Sequence, residues 1–212
     1  MTRWIDNPEI NPTWAVVHAH ENARRLEAGV SPSIQADEKV MPETIAATAG
    51  TPIEQLQILH QRIAPIYKAI GPFTACRRAC SSCCYYKVDV YPLEAELIAQ
   101  SLDLPLPSLP ASHQPGHGRR CPFLTKKATC GIYAVRPMVC RQHVMLTETN
   151  YWCLAARAHQ VKLPLMRLTG IDEAFVEIVK RDGRSQPSQI RDLRDYFPTS
   201  PVTSSAGESL SP

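Results

Sequence analysis

Cysteine is missing from both ends of this 212-residue chain: none precedes Cys76 and none follows Cys153. Long apolar runs are missing as well. The first residues, MTRWIDNPEI, hold no apolar stretch of the kind a secretory signal needs. No window approaches the ~18 consecutive apolar residues of a membrane helix. The expectation is a cytoplasmic protein with no membrane partner. Phenylalanine is scarce, with four residues against nineteen prolines, which favours many short elements over a large sheet. Acids are locally absent: from Leu104 to Thr147 there is no Asp or Glu. The net charge of +3 hides this asymmetry, since residues 76–141 carry nine Lys/Arg against four acids. The length fits one domain of ordinary size with extensions, or one domain and a small helical partner.

The cysteines are concentrated where those basic residues are. CRRACSSCC, from Cys76 to Cys84, packs four of the eight into nine residues, and Cys121, Cys130, Cys140 and Cys153 follow. Disulfides rarely persist in the cytosol, so clustered cysteines point to metal or redox work. Free cysteine is also a common small core residue, but four in nine positions beside Arg77, Arg78, Ser81 and Ser82 exceed what packing asks for. Cys76, Cys80 and Cys83 are spaced i, i+4, i+7, which is one face of a helix or three converging points on a loop. Adjacent Cys83 and Cys84 do not easily reach one metal in regular structure, so one of them binds a second ion or packs. Eight thiols suit two four-thiolate sites, or one site with spares. Zinc closes a tetrahedron of such ligands, and iron–sulfur clusters use the same thiolates. A Cys80-x-x-Cys83 dithiol ranks lower, because the strand–helix pattern of a thioredoxin-like fold is missing. Basic neighbours lower thiol pKa values and offset the charge of a thiolate centre; alternatively, residues 119–141 form a patch for nucleic acid or a protein.

Around this centre the chain reads as helical. A helix is expected from about Thr13 to Gly29, a turn at Ser31-Pro32, and a short weak helix over Asp37–Ala49. Thr51, Pro52 and Glu54 make a capping box with proline at the first helical position, opening a scaffold helix over 51–70 that stops at Gly71-Pro72. Val88 and Val90 alternate with Lys87 and Asp89 as a short extended segment, and Pro92 opens another helix with Glu94 and Glu96 in its first turn. Residues 103–120 are a Pro/Gly-rich loop, which keeps His113 and His117 off a shared helical face. His18 and His20 read as surface or packing residues. Helices are expected over Tyr151–Val161, Ile171–Arg181 and Ser188–Tyr196, and a disordered Ser/Pro-rich tail over 198–212.

Taken together, Cys76-x3-Cys80-x2-Cys83-Cys84, the V-x-V-x-P-x-E-A-E segment from Val88 to Glu96, Cys121-Pro122-Phe123-Leu124, Cys130-Gly131-Ile132-Tyr133, Arg136-Pro137 and Cys140-Arg141 resemble the YkgJ-type cysteine-cluster family. The resemblance covers roughly residues 74–155 and implies a zinc- or iron-chelating domain. The C-x3-C-x2-C spacing is shared with radical-SAM enzymes, but their repeated strand–helix units are not found here. A related cysteine arrangement in flagellin lysine N-methylases implies methyl or group transfer as an alternative. Where the family commonly carries an aromatic residue two positions after Arg141, this chain has His143.

The expected protein is mainly α: a small loop-rich metal-binding cysteine-cluster domain with flanking helices. Residues 1–50 form a partly helical extension, 51–160 the cysteine-cluster domain, and 161–197 C-terminal helices. The expected ligands are Cys76, Cys80, Cys83, Cys84, Cys121, Cys130, Cys140 and Cys153, holding zinc or an iron–sulfur cluster. Arg136 and Arg141, bracketing Cys140, are expected to support the centre by hydrogen bonds and charge, or to bind an anionic substrate. Two alternatives stand beside a metal-binding role. An enzyme would show a pocket lined by Arg136, Arg141 and Tyr133; a zinc-organised interaction module would show a continuous basic face.

Overall fold

A computed structural model describes residues 10–77, 79–105, 116–184 and 186–198. Both His113 and the expected disordered tail from residue 199 onward lie outside them, as does Arg78. Within them the protein is mainly α, with helices α1 (Pro12–Gly29), α2 (Pro32–Lys39), α3 (Met41–Ala46), α4 (Pro52–Ile70), α5 (Pro92–Ser101), α6 (Met138–Gln142), α7 (Thr169–Asp182) and α8 (Leu193–Tyr196). The strands β1 (Asp89–Val90) and β2 (Arg191–Asp192) pair antiparallel, Asp89 opposite Asp192 and Val90 opposite Arg191.

The scaffold helix α4 starts as its sequence dictates. Glu54 Oε2 accepts from Thr51 N at 2.7 Å while Thr51 Oγ1 accepts from Glu54 N at 3.4 Å, so two end donors are satisfied reciprocally. Leu56, Leu59, Ile63, Ile66 and Ile70 then recur at three- and four-residue steps and are all buried. Each such side chain stabilises the fold by about 1.5–3 kcal/mol. They form a first core with Met41 and Ile45 of α3, Leu93 and Leu97 of α5, and Ile171, Ala174 and Ile178 of α7. Helix α7 docks closely on α2: Gly170 N donates to Glu38 Oε1 at 2.7 Å, and a side-chain carbon at Gly170 would collide with the Glu38 carbonyl oxygen. The Glu38 carboxylate thereby sits at the positive end of α7.

A second core lies on the other side of α5. It gathers Val88, Val90, Ala95, Ile98, Phe123, Leu124, Ile132, Leu193, Tyr196 and Phe197. Helix α5 therefore buries two faces, one on each core, which explains why it is apolar nearly all round. The segments carrying Cys84, Cys121, Cys130 and Cys140 pack on this second core, while Cys153 sits in a small separate cluster with Ala75 and Met145.

Five local expectations are corrected. Asn11, not Thr13, caps α1, its side chain accepting from Thr13 N and Trp14 N. Ser31-Pro32 is the cap and first position of α2 rather than a turn alone. The helix expected over Asp37–Ala49 is two helices broken at Val40, because Pro42 begins a new first turn in α3. Residues 151–161 hold only a short 3-10 turn, Tyr151–Cys153, followed by turns; the Cys153 carbonyl, which a continuing helix would need, instead accepts from Tyr86 Oη at 2.7 Å. The helix expected over Ser188–Tyr196 is confined to α8, since Arg191 and Asp192 are taken up by pairing with β1.

Candidate metal centre

The chain leaves α4 through a 3-10 turn, Gly71–Phe73, and is pinned where Ala75 N donates to Met145 O at 2.8 Å. Cys76 follows, exposed. Ala79 adopts a left-handed backbone, φ 65°, which costs an L-residue about 1–2 kcal/mol. The turn it belongs to lets Cys80 N reach Arg77 O at 3.0 Å. Cys83 and Cys84 ride on a 3-10 turn, Ser82–Tyr85. The Cys84 carbonyl then accepts from Cys121 N at 2.8 Å, joining the first cysteine loop to the second.

The segment from Cys121 to Cys130 doubles back on itself. Leu124 and Cys130 form an isolated antiparallel bridge, and Gly131 N donates to Phe123 O at 2.8 Å. Cys140 lies on α6, whose start is fixed from outside: Met138 N donates to the buried Glu94 Oε1 at 2.7 Å. Cys153 closes the sequence of thiols. Three residues before it, Asn150 Nδ2 reaches Cys80 Sγ at 3.6 Å and Ser82 Oγ at 3.3 Å.

All eight cysteines are free thiols. They are close enough to act on one another electrostatically. Cys76 feels Cys80 and Cys83; Cys153 feels Cys76, Cys80 and Cys83; Cys84 feels Cys83, Cys121 and Cys130; Cys140 feels Cys83, Cys121 and Cys130. Burial first, and neighbouring sulfurs second, push the thiols of Cys140 and Cys153 up, Cys153 to about 12. Cys121 and Cys130 are raised chiefly by burial, and so is Cys76, whose thiol is desolvated although the residue as a whole is exposed. Cys83 is the exception: a hydrogen bond from the Cys84 thiol, helped by Arg136, holds it down to about 7, and the same bond holds Cys84 up. A bound cation inverts this balance, because a coordinating thiol is deprotonated outright. Among the described residues no group of three or more Cys, His, Asp or Glu side chains is placed to hold a metal ion. The chemistry of the donor set nonetheless fits a soft metal: eight free thiols, each within electrostatic reach of another, with the Arg136 charge reaching three of them.

Those cations include both expected arginines. Arg141 is buried; its Nε donates to Arg136 O at 3.0 Å and its Nη2 to Ala134 O. Burial, then the charge of Arg136, lowers it to about 10, so it stays cationic at neutral pH. Arg136 lies over the Tyr133 ring at 4.3 Å and its charge reaches Cys83, Cys130 and Cys140.

Sequence reasoning missed a third arginine. Arg194, on α8, is buried and donates through Nη2 to Cys84 O at 3.0 Å and to Arg119 O, and through Nε to Arg120 O at 3.3 Å. Its carboxylate partner Asp192 lies 2.9 Å away and is itself fully buried. Asp192 Oδ2 also accepts from Val88 N at 3.0 Å. A side-chain carbon at Gly116 would run into this carboxylate, so only glycine fits there. Nothing in D-L-R-D marks these residues beforehand, since most such charges are solvated. Asn150 carried no stronger signal, and Glu94 stood out only as a first-turn acid within the Val88–Glu96 motif.

Of the histidines, His117 Nε2 lies 3.2 Å from Ala155 O and its ring stacks on Tyr86, while His143 meets the same ring edge-on at 4.9 Å. A cavity of about 220 Å³ against α6 is lined by Tyr67, Gln142, His143 and Asp172 together with Leu165 and Met166. It contains none of Arg136, Arg141 or Tyr133. Arg119, Arg120, Lys126 and Lys127 are exposed, whereas Arg141 is not. Among the described residues no helix is long and apolar enough to cross a membrane.

Comparison with known proteins places this sequence in a family. A family model described as "Putative zinc- or iron-chelating domain" matches residues 75–156, the stretch that contains every cysteine. A protein of Acinetobacter calcoaceticus named "Putative ferredoxin" is 35% identical over 106 residues, an alignment spanning 46% of this chain and 83% of that relative. No solved structure matches the chain. The chain belongs to the CxxCxxCC family of zinc- or iron-chelating cysteine-cluster proteins.

Proposed function

We propose that this protein is an iron–sulfur protein of electron-carrying type, its clusters held by Cys76, Cys80, Cys83, Cys84, Cys121, Cys130, Cys140 and Cys153. The observation that carries the reading is that all eight thiols are unpaired and lie within electrostatic reach of other cysteines. When bound, such a cluster supplies a one-electron redox couple. The chain's own residues do the rest. Arg136, Arg141 and Arg194 offset the negative charge that thiolates bring into an apolar site. Asn150 offers an amide hydrogen to Cys80 Sγ. The second core keeps water from Cys121. The relative's ferredoxin name favours iron over zinc.

The test is purification of the full chain without oxygen, followed by iron, zinc and sulfide analysis and a visible spectrum. A brown protein with iron and acid-labile sulfide, bleached by dithionite, is the expected result. A colourless protein with stoichiometric zinc replaces the redox role with a structural one. A protein that takes up neither metal overturns metal binding itself.

A second reading, a zinc-organised module binding nucleic acid or an acidic protein, is favoured by exposed Arg119, Arg120, Lys126 and Lys127 on a stretch without acids. It requires binding that weakens steeply with salt.

A further inference from the structure

The eight cysteines do not form one crowd. Cys84, Cys121, Cys130 and Cys140 all pack on the second core, against Val88, Phe123, Ile132 and Leu193 and their neighbours. Cys153 belongs to a different cluster, with Ala75 and Met145. Apart from the Cys84 thiol's bond to its neighbour Cys83, three further contacts follow the same division. Ala75, next to Cys76, is tied to Met145; Asn150 ties Cys80 to the turn that carries Cys153; Cys84 is tied to Cys121. The dividing line falls between Cys83 and Cys84. These adjacent residues lie in a single 3-10 turn, where successive side chains point in different directions.

We propose that the cysteines make two adjacent four-thiolate sites: an inner one of Cys84, Cys121, Cys130 and Cys140 in the second core, and an outer one of Cys76, Cys80, Cys83 and Cys153 at the surface. This deepens the metal-binding reading and rests on it. The two sites differ in setting. The inner one is braced by Arg194 at Cys84 O and fixed through α6 and Glu94. The outer one ends in the exposed Cys76 and a loop carrying the left-handed Ala79. Each takes one soft metal ion or one cluster, and the outer one exchanges first.

The experiment is a cobalt(II) titration of the full-length, metal-free, reduced protein, following the thiolate-to-metal absorption band, beside Cys121→Ser and Cys153→Ser variants. Two equivalents are expected for the parent and one for each variant. A strong chelator added to the loaded parent should release the metal in two phases of equal size, and Cys153→Ser should lack the fast one. Saturation of the parent at one equivalent, with metal still bound, overturns the two-site division while leaving metal binding intact. Loss of all metal from both variants, with their far-ultraviolet circular dichroism unchanged, also overturns it. No uptake by the parent sinks the underlying reading instead. Should a variant fail to fold, the release kinetics of the parent decide: a single phase is fatal to the division.

Discussion

His60 sits on the buried side of α4, and neither ring nitrogen has a hydrogen-bond partner among the described residues. Burial, followed by the charges of Arg141 and Arg136, holds it down to about 3. In the unfolded chain it titrates near 6.5. Between those values the unfolded state binds the extra proton, so the stability present above pH 6.5 is lost as pH falls toward 3. His60→Leu removes that proton site and an unpaired polar group together. The variant should match or exceed the parent in melting temperature at pH 7.5, and its advantage should widen at pH 6 and again at pH 5. A gap that stays constant across that range would show that His60 is not the acid-sensitive group. Metal release at low pH affects both proteins alike and so does not imitate the effect.

At the scale of elements, the Asp192–Arg194 pair carries the most consequence. It joins β2 and α8 to Val88, to Cys84 and to the Arg119–Arg120 turn in one buried unit. Removing one partner of a buried pair strands the other charge, at a cost of about 3–5 kcal/mol. Asp192→Ala should therefore lower stability on that scale in urea titrations and raise the reactivity of Cys84 and Cys121 toward a thiol reagent. Arg167→Ala, which breaks only the exposed contact to Asp172, should change neither measurably. The contrast between elements also explains what could be read in advance. Helices α4, α5 and α7 announce themselves through caps, first-turn acids and apolar spacing, all local to the chain. The β1–β2 pairing is two residues long and joins positions about a hundred apart, so no local pattern encodes it. Residues 154–160 favour a helix by composition, yet a hydrogen bond from distant Tyr86 takes the carbonyl on which that helix would start. At the site, the thiols and the Arg136–Arg141 bracket were legible because their chemistry is rare. Arg194 was not, because arginine is ordinary and its burial is decided by the fold.

For the whole molecule, the two cores should respond differently to loss of metal. The first is built from helices that carry no cysteine apart from Cys140 on α6, and no cysteine is among the residues that form it. The second is threaded through Cys121, Cys130 and Cys140. Chelation should therefore open the 116–135 region to trypsin at Arg119, Arg120, Lys126 and Lys127 while α3, α4 and α7 keep most of the helical circular dichroism. Collapse of the entire helical signal on chelation would show that the cores are not separable.

The Arg194 brace also sets an order of events during synthesis. A nascent chain that has just delivered Cys153 already possesses every cysteine thiol of this sequence, but the guanidinium that secures the Cys84 turn is still some forty residues short of translation. On the proposed two-site division, the inner thiols lack this brace until the segment carrying Arg194 has folded back. If the proposed inner site needs this brace, its metal loading follows translation of Arg194, and these cysteines have to be kept from oxidising in the interval.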